Sequence, residues 1–137
     1  MNGYGKRILI VDEDAGRRAR LEVQLEEEGY AVQSACDGVA GADEMRRRHF
    51  KAVIADSHLP SLNGIEFAEF CRAAWPDTPV ILLSSGRNYG TDNVGGVGAA
   101  ATVDRPYESA MLVNVLRAAT QAGSIEQSAF PNVQMGY

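Results

Sequence analysis

The chain has 137 residues, a net charge of −5 and an isoelectric point of about 5.0. That length supports one domain with a real core, and the acidity argues against nucleic acid or an anionic membrane surface as the primary partner. With 45% hydrophobic residues, no apolar run of spanning length and no signal-peptide pattern after Met1, the chain reads as a cytoplasmic globular domain with no membrane partner.

The first apolar run, Ile8 to Val11, leads into Asp12, Glu13 and Asp14. Its length and character suit a strand buried on both faces, as in a parallel sheet. A helix follows. Leu21 and Leu25 recur at i, i+4 among Arg17, Arg18, Arg20, Glu22 and Glu26, with Asp14 as N-cap and Gly29 at C′. Tyr30 to Ala35 alternates weakly and reads as a second strand. Val39 to Arg48 reads as a short helix with Ala42 and Met45 inward. Its basic cluster, Arg46 to Arg48, reads as a solvated helix end, with a docking patch as the alternative. Cys36 and Cys71 lack C-x-x-C spacing and read as reduced, buried thiols.

A third run, Ala52 to Ala55, leads into Asp56. The loop from Ser57 to Gly64 opens a helix with Phe67, Phe70, Cys71 and Ala74 on one face, ending before Pro76. The fourth run, Val80 to Leu83, ends in Ser84 and Ser85. From Gly86 to Gly98 the chain is rich in glycine, and each interior glycine costs a helix ~1 kcal/mol relative to alanine. That stretch reads either as a short, frayed helix docked by Val94 and Val97 or as a loop. The fifth run, Ala100 to Val103, ends in Asp104, Arg105 and Pro106. Leu112, Val115, Leu116 and Ala119 mark a last helix. The expected domain spans residues 1–122, and 123–137 read as a tail or linker with a helical turn near Ile125.

Strand and helix alternate five times, which predicts a right-handed, doubly wound α/β sandwich. Ligands of such sheets sit outside the carboxyl ends of the strands. The polar residues that end these runs therefore converge at one edge, where carboxylates, a hydroxyl and a cation suit a divalent ion and a phosphoryl group.

Over about Lys6 to Ala122 the chain resembles the response-regulator receiver domains of two-component signalling, in an atypical, chemotaxis-regulator-like form. Four motifs carry the resemblance, in order. They are the acidic residues after the first strand, the Asp-x-x-x-Pro-x-x-x-Gly stretch of Asp56, Pro60 and Gly64, the hydroxyl after the fourth strand, and a basic residue before a proline after the fifth. The resemblance implies a five-stranded parallel sheet of flavodoxin-like order 2-1-3-4-5, here with an irregular fourth helix. It implies that Asp56 is the phosphorylated nucleophile and that Mg2+ is bound by Glu13 directly, by Asp12 through water, by one oxygen of Asp56 and by the backbone carbonyl of His58. It implies that Ser84, rather than Ser85, donates to a phosphoryl oxygen. The His58 side chain is then either a bystander or a modulator of water attack.

Three positions depart from the family pattern. Arg105 stands for the usual lysine, keeping charge but offering a planar fork. It either faces the phosphate or pairs with Asp12 or Asp104. Its bond to Pro106 is expected to be cis. Thr102 stands where an aromatic switch residue is usual, and the glycine-rich stretch replaces a helix of the usual output face. The expected partners are a sensor histidine kinase or phosphotransfer protein and an unidentified output partner, with no direct nucleic-acid binding by this domain; a homodimer is compatible. Catalysis is limited to self-phosphorylation and self-dephosphorylation. Two other readings compete: a phosphorylation-independent interaction module on the same fold, and a flavin carrier, which the acidic first loop disfavours.

Overall fold

The computed structural model describes residues 4–59, 63–84 and 99–121, together with the backbone of 133–135. Five strands run parallel: β1 (Arg7–Val11), β2 (Ala31–Ala35), β3 (Ala52–Asp56), β4 (Val80–Ser84) and β5 (Ala101–Asp104), in the order β2-β1-β3-β4-β5. Four helices are described: α1 (Ala15–Glu27), α2 (Gly38–Arg47), α3 (Gly64–Ala74) and α4 (Ser109–Thr120).

Strand alternation sorts the apolar residues to two cores. Ile8, Ile10, Ile54, Ile81, Leu83 and Val103 pack with Leu21 and Leu25 of α1 and Leu112 and Leu116 of α4. Their neighbours Leu9, Val11, Val53, Ala55 and Leu82 pack with Met45 of α2 and Phe67 and Cys71 of α3. Both faces of the sheet are thus covered, which is why β1, β3 and β4 read as unbroken apolar runs. β2 is an edge strand with a partly exposed pattern, and its alternation in sequence is correspondingly weak.

Helix ends follow local chemistry. The Asp14 side chain accepts from the Arg17 amide, Asp37 caps α2 through the Ala40 amide, and Asn63 and Glu66 close a capping box at α3. Gly29 follows α1 at a φ of +93°, the left-handed stop expected of it. Each arginine of the basic cluster is paired within its own helix or its cap, Arg46 with Asp43 and Arg47 and Arg48 with Glu44. That matches a solvated helix end.

Several expectations are corrected. Val133–Met135 is not plain tail: it forms a sixth strand, β6, antiparallel to β5 with Thr102 opposite Gln134. The outer edge of β5 offers a row of backbone donors and acceptors, and any following extended segment that reaches it can pair there. Cys36 is exposed, because it lies just past the end of edge strand β2; only Cys71 is buried. On α3, Ala74 is exposed and Phe70 half-buried, while Ala68 joins Phe67 and Cys71 inside. The expected irregular fourth helix and the turn near Ile125 fall outside the described residues, as do Pro60 and Ser85. Among the described residues, no helix is long and apolar enough to cross a membrane.

Candidate functional site

Parallel register brings the strand ends level. Val11 pairs with Ala55, Asp56 with Leu83, and Ser84 with Asp104. Asp12, one residue beyond β1, therefore sits beside Asp56, the last residue of β3. Both carboxylates are almost wholly enclosed, with Asp12 1% and Asp56 3% exposed. Two buried carboxylates this close require positive charge beside them.

Among the described residues, two guanidinium groups supply it. Arg105 Nη1 donates to Asp56 Oδ1 at 2.6 Å and lies 3.3 Å from the Leu83 carbonyl oxygen, while its Nη2 is 3.7 Å from Asp12 Oδ2. Its backbone N–H donates to the Ser84 carbonyl at 2.8 Å, which ties the residue to the end of β4. Of the alternatives read from sequence, Arg105 thus faces the acidic pocket, contacting both aspartates. The Arg105–Pro106 bond is cis, as expected.

Sequence reasoning missed Arg17, which it left on the solvent side of α1. Arg17 Nε donates to Asp12 Oδ2 at 3.0 Å and Nη2 to Oδ1 at 2.9 Å, and Nη2 lies 3.9 Å from Asp56 Oδ2. The bond to Asp12, above the other influences, raises the Arg17 pKa further beyond its already high value. A signal was available. The first turn of α1 has no acidic residue and carries two arginines, against the helix dipole, so a nearby anion was implied. Arg18 adds to this by donating to the backbone oxygen of Asp12 at 2.7 Å.

Two backbone amides also hold the carboxylates. The amide of Asp14 donates to Asp12 Oδ1 at 2.9 Å and the amide of His58 to Asp56 Oδ2 at 3.1 Å. The His58 ring turns to Ser57, with Nδ1 3.3 Å from the hydroxyl oxygen. Ser84 is buried at the end of β4. Glu13 is exposed, and among the described residues no three His, Cys, Asp or Glu side chains converge as a ligand group.

Gly64 explains why the loop after Asp56 can close. Its amide donates to the Ser57 carbonyl at 3.2 Å. A Cβ there would collide with the Asp56 carbonyl oxygen and come within 2.6 Å of Ser57 Cα, so only glycine lets α3 start against the backbone of Asp56.

The donor chemistry fits a hard divalent cation. Asp12 and Asp56 present carboxylate oxygens to one shared cationic nitrogen, and such oxygens are what Mg2+ prefers.

The family model for the response regulator receiver domain matches residues 8–117. The response regulator MprA of Mycobacterium sp. (strain KMS) is 32% identical over 114 residues, covering 82% of this chain and 49% of its own length. A transcriptional regulatory protein of Bacillus subtilis (strain 168), YkoG, is 36% identical over 114 residues, covering 82% of this chain and 50% of its own. The response regulator TrrA of Thermotoga maritima, solved in complex with Mg2+-BeF, is 27% identical with a TM-score of 0.77, covering 83% of this chain and 98% of that one. The chain belongs to the response regulator receiver family of two-component signalling. It spans about half the length of the curated relatives it matches.

Proposed function

We propose that this domain is a phosphoacceptor in which Asp56 takes a phosphoryl group from a histidine kinase or phosphotransfer protein, with Mg2+ as cofactor. The observation that supports this most is Asp56 itself: buried at a strand terminus, beside a second buried carboxylate, with a guanidinium on one oxygen and a backbone N–H on the other. A carboxylate oxygen of Asp56 forms the new O–P bond as the donor's bond to phosphorus breaks, and that electron pair leaves with the donor. The reaction needs a fixed carboxylate and neutralised charge more than acid–base help. The His58 amide holds Oδ2 and so orients the carboxylate.

Arg105, already on Oδ1, follows the developing charge onto the phosphoryl oxygens, where its planar fork can grip two of them. Ser84, on the strand next to β3, donates its hydroxyl to a phosphoryl oxygen. Asp12 and Asp56 would hold the Mg2+, with Glu13 and the His58 carbonyl completing the protein ligands. Bound there, the ion supplies charge neutralisation for the transferring group. The phosphorylated state is passed on by conformational change to an output partner through protein–protein contact.

Intact-mass analysis after incubation with acetyl phosphate and Mg2+ tests this reading. Wild type gains one phosphoryl mass and Asp56→Asn gains none. Equal labelling of both would remove Asp56 from its role. No labelling of wild type would favour the phosphorylation-independent interaction module.

A further inference from the structure

Arg17 is one of the two cations, among the described residues, that the acidic pair holds in this structure. Its Nε and Nη2 donate to the two oxygens of Asp12 at 3.0 and 2.9 Å, so both carboxylate oxygens are engaged by one guanidinium. The same Nη2 is 3.9 Å from Asp56 Oδ2, which puts positive charge between the two carboxylates. A divalent ion shared by Asp12 and Asp56 needs lone pairs on these oxygens, whether it binds them directly or through water. Guanidinium and metal ion therefore draw on one set of acceptors.

We propose that Arg17 is a built-in competitor of the divalent cation: a tethered positive charge that must leave Asp12 before metal binds, and that sets the metal affinity of the domain. This rests on the reading of Asp12 and Asp56 as the metal pair. Arg105 is less suited to the part, because its closest contact is Asp56 Oδ1 and its backbone is tied to Ser84. Arg17 is suited to leave. Its side chain is 36% exposed, and it borders an open groove lined by Arg20, Gln24, Pro106 and Tyr107, where a released guanidinium is solvated. Arg18 still holds the Asp12 carbonyl at 2.7 Å, so the loop keeps its shape when Arg17 departs.

The test is Mn2+ binding to the full chain, read from the electron paramagnetic resonance signal of the free ion. Arg17→Ala and Arg17→Met each bind Mn2+ about tenfold tighter than wild type, the loss expected of a two-point charge-assisted contact. Arg20→Ala removes the same charge from the exposed face of the same helix and changes affinity by about twofold or less. In wild type, the Arg17 Nε–H resonance shifts as Mg2+ is added, a measurement that needs no variant. Arg17 variants that bind no tighter than Arg20→Ala, with an unmoved Nε–H resonance, would overturn the competition. Failure of every protein to bind Mn2+, the Arg17 variants included, would instead overturn the metal pair itself, and the competitor with it.

Discussion

Cys36 and Cys71 show how far one residue's chemistry depends on its place. The two thiols are alike in sequence, neither part of a metal or redox spacing. Cys71 faces inward from α3 among Leu82, Phe67 and Ala68, is 0% exposed, and burial pushes its pKa up to about 12. Cys36 lies in the open after β2. Thiolate is the reactive form, so the two must differ in rate. Ellman's reagent at ~pH 8 is expected to titrate one thiol quickly in the native protein, lost in Cys36→Ser, and the second only after denaturant is added. Fast reaction of both thiols in the native state would contradict the burial of Cys71. Arg17 and Arg105 make the same point with charge: each is one of several arginines in the chain, and among the described residues only these two meet the carboxylates of the site.

At the scale of elements, the strand-to-helix turn from β3 to α3 carries the site. Asp56 ends the strand, Asn63 and Glu66 start the helix with a capping box, and Gly64 allows the two to approach. Gly64→Ala forces a backbone shift under Asp56. We expect it to lower stability by about 2 kcal/mol, in the range of other overpacked sites, by chemical denaturation. We expect it to impair phosphoryl acceptance more than Asn63→Ala, which removes only a cap worth about 1 kcal/mol. Equal stability of Gly64→Ala and wild type would mean that the loop has room the structure does not show.

At the scale of the molecule, the sheet has one protected face on each side and two edges of different kinds. β2 ends the sheet at one edge, while β5 is covered at the other by the three residues of β6. A net gain of roughly 0.5–1.5 kcal/mol per hydrogen bond gives so short a strand only modest weight. Truncation before Val133 is therefore expected to leave folding cooperative and lower Tm by about 4 °C, the shift for about 1 kcal/mol in a domain of this size. Amide exchange at Ala101 and Val103 should quicken at the same time. Unchanged exchange there would show that β6 does not pair with β5 in solution.

The order of strands and helices, the caps at Asp14 and Gly29, and the places of Asp12, Asp56 and Ser84 at the strand ends were legible in the sequence. All of these are local: apolar runs, helical spacing and turn chemistry act over a few neighbouring residues, and the register of a parallel sheet then aligns the ends. Arg105 was legible as a residue of the site but not in its contact. Its nearest partner Asp56 is 49 positions away, so only the side-by-side packing of β3, β4 and β5 decided that Arg105 faces the acidic pocket. For Arg17, two arginines against the helix dipole already hinted at an anion, and Asp12 is only five residues away, but its approach to Asp56 came from the tertiary structure that brings the end of β3 beside the first turn of α1. The pairing of β6 with β5 was likewise hidden. Three residues with no strong pattern gain a partner only from the open edge of a sheet built far earlier in the chain.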